Sequence, residues 1–119
     1  MVNSTCIQAG DFSVRIIRSD SHDIVEVAGH VTINSSPQLR LVLLRLIARR
    51  PGAMVIIDVS KVSYLDSSGI ATLLEVLKAA REGFVKLRLV GASGRVRILA
   101  ELLELPKIFD AFGSEVMLT

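Results

Sequence analysis

The sequence predicts an α/β fold with a mixed sheet, in which an N-terminal antiparallel hairpin precedes parallel strands with helices packed against them. Two strand patterns lie close together near the start, separated only by a polar turn, and strand and helix patterns then alternate. Strands joined by a short turn pair antiparallel, whereas strands separated by a helix form right-handed crossovers in a parallel sheet. With 119 residues, 50% of them apolar, residues 1–119 are expected to form a single domain around one core.

Four strands are predicted from the patterns of apolar residues. Residues 12–18 alternate apolar and polar positions, residues 19–23 form a polar turn, and residues 24–29 resume the strand pattern. Residues 53–59 are almost continuously apolar, which is typical of a strand covered on both faces. Residues 85–90 alternate again and predict the fourth strand.

Three amphipathic helices are predicted between and after these strands. The first begins at Ser36-Pro37, where a hydroxyl can cap the helix and proline suits its first turn. The second covers residues 69–83, and the third is centred on residues 96–103, where leucine and valine recur at helical spacing. Pro106 is expected to end the third helix, and Ile108-Phe109 would then form a short last strand or a packed turn.

Composition excludes several classes of function. The net charge is only +2, with no basic tract, so nucleic-acid binding is not expected. No apolar run approaches the roughly 20 residues that cross a bilayer, and no secretory leader is recognisable, so membrane insertion is not expected. Cys6 has no second cysteine to pair with, which favours a reducing cytoplasm. His22 and His30 lack neighbours at ligand spacing, so no metal site is predicted.

The stretch 58–70 joins a predicted strand to a predicted helix through the polar turn Asp66-Ser67-Ser68-Gly69. An aspartate at a helix start accepts orphan backbone N–H groups, and this structural role alone would explain the turn. Alternatively, Ser67 is exposed in the first turn and accepts a phosphoryl group, whose charge a helix N-terminus tolerates. The carboxylates of Asp58 and Asp66 would then add repulsion, so a phosphate would alter partner binding rather than the fold.

An enzyme is not expected. A serine hydrolase of the α/β class needs Gly-x-Ser-x-Gly and a downstream histidine, but Ser67 follows Tyr64-Leu65-Asp66 and no histidine follows it. The turn Gly91-Ala92-Ser93-Gly94 lacks the spacing of a dinucleotide-binding loop.

The pattern Asp58-x-Ser60-x-Val62-x-x-x-Asp66-Ser67-Ser68-Gly69, between an apolar strand and an amphipathic helix, resembles the signature of STAS domains, specifically bacterial anti-sigma factor antagonists. Gly29, Ser36-Pro37 and Gly91 fall where that family has comparable features. The resemblance implies that Ser67 is phosphorylated by a partner that is both a serine kinase and an anti-sigma factor, while Ser68 and Gly69 shape the turn.

The resemblance also implies a partner cycle. The unmodified protein would bind the kinase and free a sigma factor, the phosphorylated form would be rejected, and a phosphatase would reset it. The protein itself would need no cofactor, because the kinase would hold ATP and magnesium. The implied surroundings of the phosphorylation site comprise Asp58, Ser60, Asp66, Ser68, Gly69, Thr32 and Asn34.

The sequence departs from the family after Gly29, where members commonly carry an acidic residue and then an aspartate two positions later. Here those positions hold His30 and Thr32. Both interpretations of Ser67, as a switch or as part of the turn's shape, therefore stay open.

Other roles of the same fold also stay open. They are an accessory STAS subunit of an ABC-type lipid transporter, and a stressosome-like scaffold. Homodimer formation is a further open point. Leu41 and Leu44 on the first helix would either mark a partner surface or be covered by the terminal segment.

Overall fold

The computed structural model describes residues 3–49 and 51–118, which form one six-stranded sheet and four helices. The strands are β1 (Asn3–Ala9), β2 (Phe12–Arg18), β3 (His22–Val31), β4 (Met54–Leu65), β5 (Lys86–Val90) and β6 (Glu115–Val116). The helices are α1 (Ser36–Arg49), α2 (Ser67–Glu82), α3 (Gly94–Leu102) and α4 (Leu105–Ala111).

The sheet is mixed, as predicted. The strands lie side by side in chain order, with β1, β2 and β3 antiparallel and β3, β4, β5 and β6 parallel. Right-handed crossovers that always step in the same direction leave their helices on one face of a sheet. The burial pattern agrees, because inward residues such as Val25, Ile57 and Leu87 are buried while their chain neighbours are partly covered or exposed.

The core lies between this face of the sheet and the helices. Its fully buried helical side chains include Leu43 of α1, Val76 and Leu77 of α2, and Phe109 of α4. Within the described ranges, no helix is long and apolar enough to cross a membrane. On α1, Leu41 is 46% exposed, whereas Leu44 is partly buried against the core.

Strand β1 was not predicted from the sequence. Its residues include serine, threonine, glutamine and asparagine and show no apolar alternation. It forms because the two-residue turn Gly10-Asp11 folds the chain back, so that Ala9 pairs with Phe12 and the rest of β1 follows along β2. Gly10 has a φ of +62°, a conformation that glycine adopts without strain. Pairing with a neighbouring strand has therefore overridden a weak local preference.

Two predicted boundaries move at the junction between β4 and α2. Strand β4 continues six residues beyond Val59, and two register shifts relative to β3 let it bend along its partner. Helix α2 begins at Ser67 rather than Gly69, because Asp66 supplies its cap.

The prediction for the C-terminal segment was wrong. Pro106 does not end the third helix. It lies in the first turn of the separate helix α4, where the backbone N–H groups have no partner within the helix, so a proline costs no hydrogen bond. Glu104, with a left-handed φ of 54°, makes the break between α3 and α4. Ile108 and Phe109 are therefore helical, and the last strand is β6.

Candidate functional site

The polar turn after β4 lies beside the loop after β3. Val31 and Leu65 are paired at the ends of the two parallel strands, and the Asp66 amide donates a hydrogen bond to the Val31 carbonyl oxygen (3.1 Å). The carboxyl ends of parallel strands are where open α/β sheets usually bind their ligands. The structure thus brings Thr32 and Asn34 to the same edge of the sheet as Ser67 and Ser68.

Asp66 caps helix α2, which confirms the structural interpretation of this turn that the sequence left open. One carboxylate oxygen, Oδ1, accepts hydrogen bonds from the Ser68 amide (2.9 Å), the Gly69 amide (3.2 Å) and the Ser68 hydroxyl (2.5 Å). The pKa of Asp66 is lowered, and the hydrogen bond from the Ser68 hydroxyl is the largest cause. Desolvation acts in the opposite direction, and the backbone amides of Gly69, Ser68 and Ile33 lower the pKa further. Asp66 therefore stays ionised at neutral pH.

The two serines of the turn have different environments. Ser67 is exposed at the first position of α2, and its hydroxyl has no hydrogen-bond partner among residues 3–49 and 51–118. Ser68 is partly buried, donates to Asp66 and accepts from the Ser36 hydroxyl (3.3 Å), which links the starts of α1 and α2. Only Ser67 offers a hydroxyl that is both exposed and unengaged.

The amides of the first turn of α2 are already occupied. Asp66 uses its carboxylate to bind the amides of Ser68 and Gly69, and its carbonyl oxygen accepts from Ile70 (3.1 Å). A phosphate on Ser67 would have to displace this cap to gain those amides. The expected stabilisation by the helix N-terminus is therefore small, and repulsion from the ionised Asp66 dominates.

Gly69 lets α2 approach the ends of both strands. A Cβ at this position would lie 2.3 Å from Leu65 Cδ1 and 3.0 Å from Val31 Cγ1. The expectation that Gly69 shapes the turn thus has a steric reason, because any side chain would push the start of α2 away from the sheet.

Thr32 and Asn34 belong to a tight loop that enters α1. The Ser35 hydroxyl accepts from the Thr32 amide (2.9 Å) and donates to the His30 carbonyl oxygen (2.8 Å). The Thr32 hydroxyl in turn accepts from the Asn34 amide (3.2 Å). Thr32 therefore serves the conformation of this loop.

Sequence reasoning missed an acidic group that lies beside this loop. The Asp11 carboxylate, on the turn between β1 and β2, contacts Nδ1 of His30. The His30 ring packs edge-on against Tyr64, with ring centroids 5.9 Å apart. Asp11 and His30 border a surface pocket of about 400 Å³ together with Thr32 and Asn34. The sequence signal that could have revealed this acidic group was the Gly10-Asp11 pair, which is typical of a tight hairpin turn.

Asp58 and Ser60 do not lie beside Ser67. Asp58 is paired with Glu26, whereas Leu65 is paired with Val31, five residues further along β3 and roughly 16 Å away at the usual rise per residue. Asp58 Oδ1 instead accepts from the Ser60 amide (2.9 Å), and both residues pack against Gly91. The expectation of two carboxylates around the phosphorylation site is corrected to one on this strand and turn, Asp66, because the extended β4 carries Asp58 away.

The sheet topology and the capped serine turn between a parallel strand and the following helix agree with the STAS domain that the sequence resemblance implies. The family model described as the STAS domain matches residues 13–117, and the chain belongs to that family.

Relatives and solved structures agree with this family. The anti-sigma-B factor antagonists of Listeria monocytogenes and Listeria innocua are each 29% identical over 93 residues, which cover 78% of this chain and 81% of theirs. An anti-sigma factor antagonist from Mycobacterium paratuberculosis superposes with a TM-score of 0.70 at 23% identity, covering 95% of this chain and 92% of its own. Unphosphorylated SpoIIAA, another such antagonist, gives 0.60 at 16% identity, covering 98% and 89%. These two likenesses show the fold.

Proposed function

We propose that the protein is an anti-sigma factor antagonist, a binding module that a serine kinase switches by phosphorylating Ser67. One observation carries the proposal: the exposed, unengaged hydroxyl of Ser67 at the start of α2, directly beside the ionised Asp66. The names of the Listeria relatives support the general role.

The surface around Ser67 suits a protein partner. Ile33 is 73% exposed in the loop after β3, and Tyr64 is 42% exposed near the end of β4. Exposed large apolar residues beside polar groups are typical of interaction surfaces. In the unmodified state this surface binds an anti-sigma factor that is also a kinase, and the sigma factor is released.

Phosphorylation changes the charge of this surface and leaves the fold intact. A phosphoserine carries roughly −1.5 to −2 charges at neutral pH, and here it stands beside Asp66, whose cap already uses the nearest amides. Partner binding then places a dianion and a carboxylate in one interface. A loss of about 1.4 kcal/mol in binding free energy weakens binding tenfold, so repulsion of this size shifts the partner from the bound to the free state.

The rest of the cycle belongs to other proteins. ATP and magnesium are held by the kinase, and a phosphatase removes the phosphate from Ser67. All of these steps take place in the cytoplasm.

Phosphorylation is tested with the purified serine kinase anti-sigma factor of the same organism and magnesium ATP. Phosphopeptide mass spectrometry is expected to find one phosphate on Ser67, and none after Ser67→Ala. Ser63→Ala is the matched control, because Ser63 is exposed on β4 near the turn without capping it. Equal phosphate incorporation in Ser67→Ala and the unmodified chain would refute the assignment.

The effect of charge is tested by calorimetric titration of the same kinase. Ser67→Glu is expected to weaken binding about tenfold relative to Ser67→Gln, which has a similar size and no charge. Indistinguishable affinities for the two variants would mean that charge at this position does not control the partner.

A further inference from the structure

Within residues 3–49 and 51–118, strand β1 presents a sheet edge that no other strand covers. It is the outermost strand of the sheet, and its seven residues include no charged residue and no proline. Natural proteins usually protect such edges with lysine, proline, a bulge or a covering segment, because unpaired backbone groups bind further strands. The STAS family match begins at residue 13, after this strand.

The geometry of the hairpin identifies which backbone groups face outward. Ala9 and Phe12 close the two-residue turn and exchange hydrogen bonds, and the bonded pairs of an antiparallel ladder then recur at every second residue. Ile7 and Thr5 therefore bond to β2. The N–H and C=O groups of Ser4, Cys6 and Gln8 point away from the sheet.

We propose that β1 pairs antiparallel with β1 of a second copy of this chain, about a two-fold axis at Cys6. This register places Cys6 opposite Cys6 of the partner and Ser4 opposite Gln8 of the partner, and it forms about six backbone hydrogen bonds. Thr5 and Ile7 of the partner become a close cross-strand pair on the face that carries the helices. The two six-stranded sheets become one continuous sheet.

Two features of β1 favour β1 of a second copy of this chain as its pairing partner. Its outward groups are spaced symmetrically around Cys6, so an identical strand satisfies all of them at once. With no charge on β1, the two copies bring no like charges together across the new ladder. One strand pair buries less than the roughly 1,600 Å² of a standard interface, so we expect a dimer of micromolar affinity. This inference does not depend on phosphorylation of Ser67.

Sedimentation equilibrium of the full chain in reducing buffer tests the dimer. The expected mass at high concentration is twice 12.9 kDa, which is 25.8 kDa. Gln8→Pro removes one outward N–H from each copy and spares the bonds to β2, so dimerisation should weaken about tenfold. Gln8→Ala keeps that N–H and should dimerise like the unmodified chain. A monomer mass at the highest soluble concentration, or equal dimerisation of Gln8→Pro and Gln8→Ala, would overturn the proposal.

Cross-linking tests the register independently. Cys6 is the only cysteine and is exposed, so a short bis-maleimide should join two copies through it. Moving the thiol with Cys6→Ser and Gln8→Cys should abolish the product, because the two thiols would then be roughly 14 Å apart. Adding Ser4→Cys to that variant should restore it. Equal cross-linking of a lone cysteine at positions 6 and 8 would exclude this register.

Discussion

Replacing Gly29 with alanine should destabilise the protein more than a comparable change elsewhere. Gly29 has a φ of +87°, and a Cβ there would lie 1.6 Å from the Asp11 carbonyl oxygen and 2.7 Å from its carbonyl carbon. A positive φ costs a residue with a side chain about 1–2 kcal/mol. The contact is with backbone, so the turn between β1 and β2 must also shift, and we expect a total loss of about 3–4 kcal/mol in unfolding free energy.

Gly52→Ala is the matched control, since Gly52 has a φ of +86° and, among the described residues beyond its two chain neighbours, no atom lies within 4 Å of the added Cβ. It should lose only the conformational part, about 1–2 kcal/mol. Urea unfolding measures both variants, with the slope of free energy against urea showing whether the denatured state has changed. Equal losses for the two variants would refute the idea that close approach of the Asp11 backbone requires glycine at position 29.

Two further predictions concern the core and the helix cap. Phe109→Ala should lose about 3–5 kcal/mol of unfolding free energy, because Phe109 is 0% exposed. Phe84→Ala is the control: Phe84 is 83% exposed, and its replacement should change the unfolding free energy by less than about 0.5 kcal/mol. Similar urea midpoints for the two variants would contradict the packing of Phe109. Because the folded-state pKa of Asp66 is lowered, its stabilisation is complete above the usual pKa of an aspartate and is lost as pH falls through the lower, folded-state value. The stability difference between the unmodified chain and Asp66→Asn should therefore be constant near neutrality and shrink below about pH 4 in urea titrations, and a difference independent of pH would count against this role of the carboxylate.

The sequence predicted the mixed sheet and offered the Asp66 cap as one interpretation of the serine turn, because both follow from local information. Apolar residues at every second or every third and fourth position distinguish strands from helices. An aspartate before two serines and a glycine, placed between a strand and a helical pattern, indicates a capped helix start. The structure confirms both, and it leaves the role of Ser67 as a prediction.

The C-terminal segment shows where local rules were ambiguous. Proline both ends helices and begins them, so Pro106 alone could not decide between the end of α3 and the start of α4. The left-handed backbone of Glu104, which separates the two helices, has no sequence signature comparable to glycine.

The sequence by itself determined the fold class and the exposed serine turn, since periodicity and capping act between residues a few positions apart. Only the tertiary structure decided which distant groups surround that turn. The length of β4 removed Asp58 from the site, and the hairpin brought the Asp11 carboxylate to His30. The physical reason is that strand register and hairpin pairing bring together residues far apart in the chain, and register depends on the burial pattern of whole strands and on turn geometry rather than on a short local motif.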